Sequence, residues 1–284
     1  MRVATVEIHT PSRTDKIKLT FTGDEHLGAM DCDKKLLKAS FEKIAADENH
    51  YWIGMGDPCE FIAYSDKRFD PRDYDMSNPL HNSFQRQSDA YVEMASVIPE
   101  ERRLGLICGN HDDKVTTRYH YDVHEYICQK LSRRPNFSLG YSAFLKIRFR
   151  REVAASKSSA VMKLCLHHGH GGGRRAGSKI NKVEDLAFSY PYCDIYAMGH
   201  CHDRFIRPAV ATDCTDRSDE LEERPRVLLM SGTYKRSVTT HNSSWGEQKQ
   251  FPPTSIGCVT LEIQPHGSGG PVITGICRSD GLPG

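Results

Sequence analysis

The chain has 284 residues, 38% of them apolar and 26% charged, with a formal net charge of +1. That length allows one large domain or two small ones, and a charge so near zero excludes a global polyanion-binding footprint, so any affinity for phosphate has to be local. No apolar run approaches the ~20 residues needed to cross a membrane. Met1-Arg2-Val3-Ala4-Thr5-Val6-Glu7-Ile8 alternates like a strand and lacks the apolar core of a signal peptide, so a cytoplasmic protein is the expectation. The ten cysteines are scattered, and Cys108, Cys165, Cys258 and Cys277 sit in strand-like apolar runs, which reads as reduced, buried thiols.

Strands are predicted at 2–9 and 16–22, the second running into Gly23-Asp24-Glu25-His26. A helix is expected over 33–48, with Asp33 as N-cap and Leu36, Leu37, Phe41, Ile44 and Ala45 as its apolar stripe. Tyr51-Trp52-Ile53-Gly54-Met55 reads as a short strand that stops at Gly56-Asp57. Residues 61–81 are polar and aromatic, contain Pro71 and Pro79 and have no period, and a connection of that length is usually functional or disordered. Helical spacing returns at 82–97; Leu104-Gly105-Leu106-Ile107-Cys108 is a strand ending in Gly109-Asn110-His111-Asp112; another helix covers 122–132.

Further strands are predicted near 143–150, 161–167, 193–198, 227–231, 256–263 and 272–277. Between them lie a glycine-rich basic loop at 169–179, a helix near 181–188 and a charged, solvated excursion at 212–226. There is no internal repeat and no linker-like run, so a single domain over 1–284, with 61–81 and 212–226 as loop excursions, is the simplest reading. Strands alternating with helices, then mostly strands, predict an α/β sandwich built on two sheets.

The chemistry collects where strands stop. In Gly199-His200-Cys201-His202 two histidines two apart in extended backbone point to one side, so they can converge on one point, and Cys201 points away from them. Asp24 and His26, Asp57, the Gly109-to-Asp112 block and His167-His168-Gly169-His170 stand at four other strand ends. Ligands gather outside the carboxyl ends of strands in open α/β folds. Carboxylate, imidazole and amide oxygen together suit manganese, iron or zinc. With one histidine from 167–170 the set reaches seven groups, more than one tetrahedral ion needs, which points to two metal ions clamping an in-line phosphoryl displacement.

At these residues the sequence resembles the calcineurin-like metallophosphoesterase superfamily, whose D-x-H, G-D, G-N-H-[DE], strand-then-His and G-H-x-H blocks all occur here in order over about residues 20–205. The resemblance implies an α/β fold, a four-layer α/β/β/α sandwich of two mixed sheets flanked by helices. It implies Asp24, His26 and His202 on one divalent metal, Asn110, His168 and His200 on the other, and Asp57 bridging with a water or hydroxide as nucleophile. His167 stands as the alternative to His168 in the fourth block, and His170 falls near the substrate. His111 would stabilise the phosphate or protonate the leaving oxygen, with Asp112 orienting it. Manganese is the expected metal, with iron, zinc or nickel as alternatives. The implied activity is that of a phosphoester hydrolase, a nuclease-like phosphodiesterase acting on nucleotides or nucleic acid. A phosphomonoesterase or a catalytically weak metal-binding scaffold is the alternative.

Glycines in 169–179 permit close backbone approach to an anion, and Arg174, Arg175, Lys179 and Lys182 add positive charge. Together they read either as a clamp on substrate phosphate or nucleic-acid backbone, or as a solvated basic loop. Segment 61–81, with Phe61, Tyr64, Phe69, Tyr74, Lys67, Arg68 and Arg72, either caps the site and stacks a base or packs its aromatics on the body. His9, His50, His81, His120, His124, His241 and His266 are expected on the surface.

Overall fold

The structure, a computed structural model, describes residues 1–75, 77, 80–153, 156–214, 219–239, 244–267 and 270–278. The elements in chain order are β1 (Arg2–His9), β2 (Ile17–Thr22), α1 (Lys34–Ala45), β3 (His50–Gly54), α2 (Ser83–Ala95), β4 (Arg103–Leu106), α3 (Asn110–Tyr119), α4 (Val123–Leu131), β5 (Ser142–Val153), β6 (Ser156–His167), α5 (Ala176–Ser189), β7 (Ile195–Met198), β8 (Arg204–Cys214), β9 (Leu221–Ser231), α6 (Trp245–Gln248), β10 (Val259–Gly267) and β11 (Gly270–Arg278). One sheet has the order β1-β5-β6-β7-β9-β8 and the other β11-β10-β2-β3-β4. Both are mixed. In the first, β6, β7 and β9 run parallel, and in the second β2, β3 and β4 do.

The period of two in the strands sorts side chains between layers. Leu19 and Phe21 of β2, Ile53 of β3, and Ile195 and Ala197 of β7 point between the sheets, where they meet Leu145, Ile147 and Leu261 in one buried core. Trp52 turns the other way, into the layer of α1, α2 and α4 with Phe41, Tyr91 and Ile127. Tyr196 and Met198 face α5 through Val183 and Leu186. The layers are therefore helix, sheet, sheet, helix. Among the described residues no helix is long and apolar enough to cross a membrane.

Local signals explain the helix ends. Asp33 accepts from Leu36 N at 2.9 Å and starts α1. Arg102 stops it: the buried guanidinium donates to the carbonyls of Ile44 (2.9 Å) and Ala45 (2.8 Å), to that of Asp47 in the following turn and to that of His50 at the start of β3.

Several expectations need correction. α3 takes the Asn110-to-Asp112 block into its first turn, where only a strand-end loop was expected. α5 begins at Ala176, five residues before the predicted helix, so Lys179 is helical rather than part of the basic loop. The charged segment 212–226 is mostly the exposed tip of the β8–β9 hairpin, whose strands pair from Arg204↔Ser231 to Cys214↔Leu221; its residues 215–218 lie outside the described residues. His50 and His124 are buried, bonded to Thr20 Oγ1 at 2.6 Å and Ser138 Oγ at 3.0 Å, because each meets a hydroxyl partner inside the fold. His241 and Pro79 lie outside the described residues.

Candidate metal centre

Since β2, β3 and β4 share one direction, as do β6, β7 and β9, their carboxyl ends can meet at one rim. Backbone bonds tie them there: Asp24 N donates to Gly56 O (2.9 Å), His26 N to Asp57 O (3.2 Å) and Tyr234 N to Asp24 O (3.2 Å). His200 N donates to Asp24 Oδ2 at 2.7 Å, which joins the two sheets directly. Asp24, His26, Asp57, His200 and His202 all hold left-handed backbone, with φ of 50°, 49°, 53°, 68° and 48°. Such conformations cost a non-glycine residue energy and concentrate at functional sites.

Two of the donor groups at this rim are Asp24 with His26 and His202, and Asp57 with His168 and His200; a third joins His26 to Glu60 and His111. Within the first, His26 Nε2 is 3.0 Å from His202 Nε2, and His202 Nε2 is 3.6 Å from Asp24 Oδ1. Within the second, His168 Nε2 is 3.3 Å from Asp57 Oδ2. The groups adjoin through Asp57 Oδ2 and His26 Nε2, 4.0 Å apart. Asn110 Oδ1 lies 2.6 Å from His200 Nδ1 and 3.2 Å from His168 Nε2. His168 enters the cluster rather than His167, whose Nδ1 accepts from Gly169 N at 2.7 Å. His168 Nδ1 faces the Met55 carbonyl at 2.8 Å, and donating there turns Nε2 inward toward Asp57.

The donors fit a cation better than they fit each other. Asp24 Oδ1 is buried without a hydrogen-bond partner. Turning the Asn110 amide gives its NH2 to His200, His168 and Asp57, but the facing Nε2 atoms of His26 and His202 gain no donor from it. Buried acceptors that crowd together in this way are a cation's environment. Charge tells the same story. Burial would raise Asp57, but His168, His111 and His26 outweigh it and hold the carboxyl well below its usual range. Burial lifts Asp24 to about 7. His168 rises to about 10 because Asp57 overcomes its burial. Burial lowers His200 to about 4, and burial with the repulsion of His26 keeps His202 well below the ordinary imidazole range. Except for His26 and His168, these imidazoles are neutral near pH 7 and offer lone pairs.

Beside the cluster is a cleft of about 420 Å³, with Arg68, Phe69, Lys114, Lys179, Lys235 and Phe251 among its lining. His111 borders it, and its backbone N donates to Asp57 Oδ1 at 2.8 Å. The group that orients the His111 ring is the main-chain carbonyl of Glu60, against Nδ1, rather than Asp112. Asp112 is engaged elsewhere: its Oδ2 accepts from Gly109 N at 2.7 Å and caps α3. Burial depresses His111 to about 4, so its Nε2 also carries a lone pair.

The residues expected to bind substrate do not converge. His170 is exposed and outside the cleft lining. Arg174 lies over the Phe251 ring, 5.8 Å from its centroid, and Arg175 is exposed at the start of α5. Lys179 lines the cleft but pairs with Asp203 at 2.9 Å. Lys182 donates to the carbonyls of His170 (2.5 Å) and Gly171 (2.7 Å), tying the glycine loop down. Sequence reasoning passed over Glu60 and Lys235. Glu60 Oε2 lies 2.7 Å from His26 Nδ1, and Lys235 Nζ lies 2.9 Å from Glu60 Oε1 and 3.8 Å from Asp31 Oδ1. The signal was a sixth strand end: β9 stops at Ser231, and Gly232-Thr233-Tyr234-Lys235 follows.

No family model and no curated protein matches this chain. Solved structures similar to it include three proteins. A Streptococcus pneumoniae protein described as a predicted phosphoesterase has a TM-score of 0.32 and 11% identity over 88% of this chain and 83% of its own. Haemophilus influenzae NAD nucleotidase has a TM-score of 0.43 and 10% identity over 94% of this chain, which spans only 50% of the nucleotidase. Chaetomium thermophilum Vps29 has a TM-score of 0.35 and 10% identity over 87% of this chain and 80% of its own. In its own residues the chain resembles the calcineurin-like metallophosphoesterase superfamily: the motif blocks sit at the strand ends of a two-sheet α/β sandwich and bring carboxylates and imidazoles together there.

Proposed function

We propose that this protein is a dinuclear metal-dependent phosphoester hydrolase, with Asp24, His26 and His202 on one divalent cation and Asn110, His168 and His200 on the other. Asp57 belongs to the second group, stands 4.0 Å from His26 of the first, and would be shared by both cations. The carrying observation is the adjoining pair of donor groups, whose imidazole nitrogens and carboxylate oxygens crowd within 3.0–4.0 Å of one another, with Asp24 Oδ1 buried and without a hydrogen-bond partner. Bound there, manganese or a similar ion would supply Lewis acidity toward a phosphoryl oxygen and toward an attacking water.

The chain's own groups do the rest. Glu60, held by Lys235, keeps the His26 ring aimed inward. His111 stands at the cleft with Nε2 free of the Glu60 contact, placed to meet the phosphate and to carry a proton to the leaving oxygen once an anion beside it has raised its affinity for one. A cleft of about 420 Å³ on a nearly neutral molecule suits a nucleotide or a single-stranded nucleic-acid end better than a long duplex, so a phosphodiesterase acting on such substrates is the narrower reading.

The test is hydrolysis of bis-p-nitrophenyl phosphate beside p-nitrophenyl phosphate by chelated protein reloaded with manganese, with Asp57→Asn and His111→Ala variants. Diester turnover lost in both supports the reading. Monoester turnover indifferent to His111→Ala replaces the diesterase with a phosphomonoesterase. No turnover of either by metal-loaded protein leaves a metal-binding scaffold.

A further inference from the structure

Most cations around the cleft are committed. Lys179 pairs with Asp203, Lys235 with Glu60 and Asp31, and Arg236 with Asp33 at 2.5 Å. Arg68 differs, because its partner holds it without using all of it. Asp66 Oδ1 accepts from Arg68 N (3.0 Å) and Nε (3.1 Å), and Oδ2 accepts from Nη2 (2.9 Å). This two-point grip fixes the plane of the guanidinium. The remaining nitrogen, Nη1, is turned to the cleft and lies 3.5 Å from His111 Nε2. Arg118 Nη1, 3.6 Å from Asp66 Oδ2, braces the same carboxylate from behind.

Lys114 lines the cleft next to this arrangement, one helical turn after Asn110 on α3, and has no ion pair among the described residues. Burial, and then repulsion from Arg68, lowers its affinity for a proton. A fixed guanidinium, an unpaired ammonium and an imidazole lone pair thus converge on one side of the cleft. Asp66, which holds Arg68, is not part of the cleft lining, although Asp70 and Asp73 are, and the positive groups beside His111 are arranged for an incoming anion.

We propose that Arg68 and Lys114 form an oxyanion subsite that grips a non-bridging phosphoryl oxygen of the substrate on the His111 side of the metal centre, with Asp66 as the residue that positions Arg68. This rests on the hydrolase reading and adds where the phosphate lies: between the metal groups on one side and Arg68 Nη1 on the other. Phe69, adjacent to Arg68 and in the cleft wall, then flanks the ester group with an aromatic face.

The experiment measures binding of inorganic phosphate to manganese-loaded protein by calorimetry, together with kcat and KM for bis-p-nitrophenyl phosphate and the metal content of each variant. Arg68→Ala is expected to weaken phosphate binding at least tenfold and to lower kcat/KM ten- to a hundredfold, with metal content unchanged. Arg68→Lys should restore little, since an ammonium cannot hold Asp66 at two points and still face the phosphate. Asp66→Asn should give an intermediate loss, and Lys114→Gln a several-fold loss of phosphate binding. Wild-type phosphate affinity in Arg68→Ala overturns the proposal, and so does a loss that goes with lost metal, which would make Arg68 structural. If wild-type protein turns over no phosphoester, the hydrolase reading fails while the phosphate titration still decides the subsite.

Discussion

Gly109 lies so close beneath Asp57 that a Cβ on it would stand 1.9 Å from Asp57 Oδ1 and 2.2 Å from its backbone nitrogen. The backbone of Gly109 is ordinary extended chain, with φ −93°, so the position demands glycine for space and not for conformation. Gly109→Ala must push Asp57 out of place or move the start of α3 with Asn110 and His111. The expected result is a stability loss of about 1–3 kcal/mol and protein that no longer retains metal, read by denaturant titration and elemental analysis.

Chelation should destabilise the protein, since bound cations would satisfy acceptors that otherwise face each other. At a free metal concentration of about 100 times Kd, the gain on reloading is about 2.7 kcal/mol. Calorimetry of chelated and manganese-reloaded protein should show Tm several degrees higher with metal. Asp57→Asn should abolish most of that difference, and an equal Tm in both states of the wild type would contradict the metal centre.

Glu60→Gln removes the charge beside His26 Nδ1 and strands Lys235 against Asp31 alone. Loss of such a carboxylate behind a metal-ligating imidazole typically costs 10- to 100-fold in metal affinity or activity. Metal titration followed by activity at saturating metal separates the two, and the expected loss is in affinity.

Burial lowers His124 and His50 to about 4 from an ordinary 6.5. The folded state binds these protons less readily than the unfolded chain does. Their stability contribution is therefore full above pH 6.5 and is lost as pH falls from 6.5 toward 4. Each is worth up to about 3 kcal/mol over that interval. Urea midpoints between pH 7 and 4.5 should fall steeply for the wild type and less steeply for His124→Asn.

Arg102→Met should cost about 3 kcal/mol, because the carbonyls of Ile44, Ala45, Asp47 and His50 lose a shared donor in a buried place. Thermal unfolding checks it, and hydrogen exchange should show the loss of protection concentrated at the end of α1.

The candidate donor side chains were legible because they fall where apolar runs end, as His200 and His202 do after Ile195–Met198. A strand end is a physical place as well as a pattern, and parallel strands bring such places together. α3 was not legible, since its cap is formed by Gly109 and the Asp112 carboxylate without the usual side-chain signal. β8 was missed because its outer half is mostly exposed and covers only small side chains, Ala209 and Ala211, so Pro208 to Cys214 shows no apolar alternation. Lys235 carries no metal-ligand chemistry, and its partner Glu60 is 175 residues away in sequence. The basic loop misled because charge in a sequence does not reveal its partner: Asp203 takes Lys179, and loop carbonyls take Lys182.

The left-handed backbone at Asp24, His26, Asp57, His200 and His202 has an evolutionary consequence. At about 1 kcal/mol each, these five positions together hold an amount comparable with the 5–15 kcal/mol net stability of an ordinary domain. Glycine at any of them would relax the chain while removing a ligand. A lineage without use for the proposed metal site would therefore drift downhill in free energy, gaining stability as these side chains were replaced one at a time. Each of these five side chains therefore stands where the backbone alone would favour glycine.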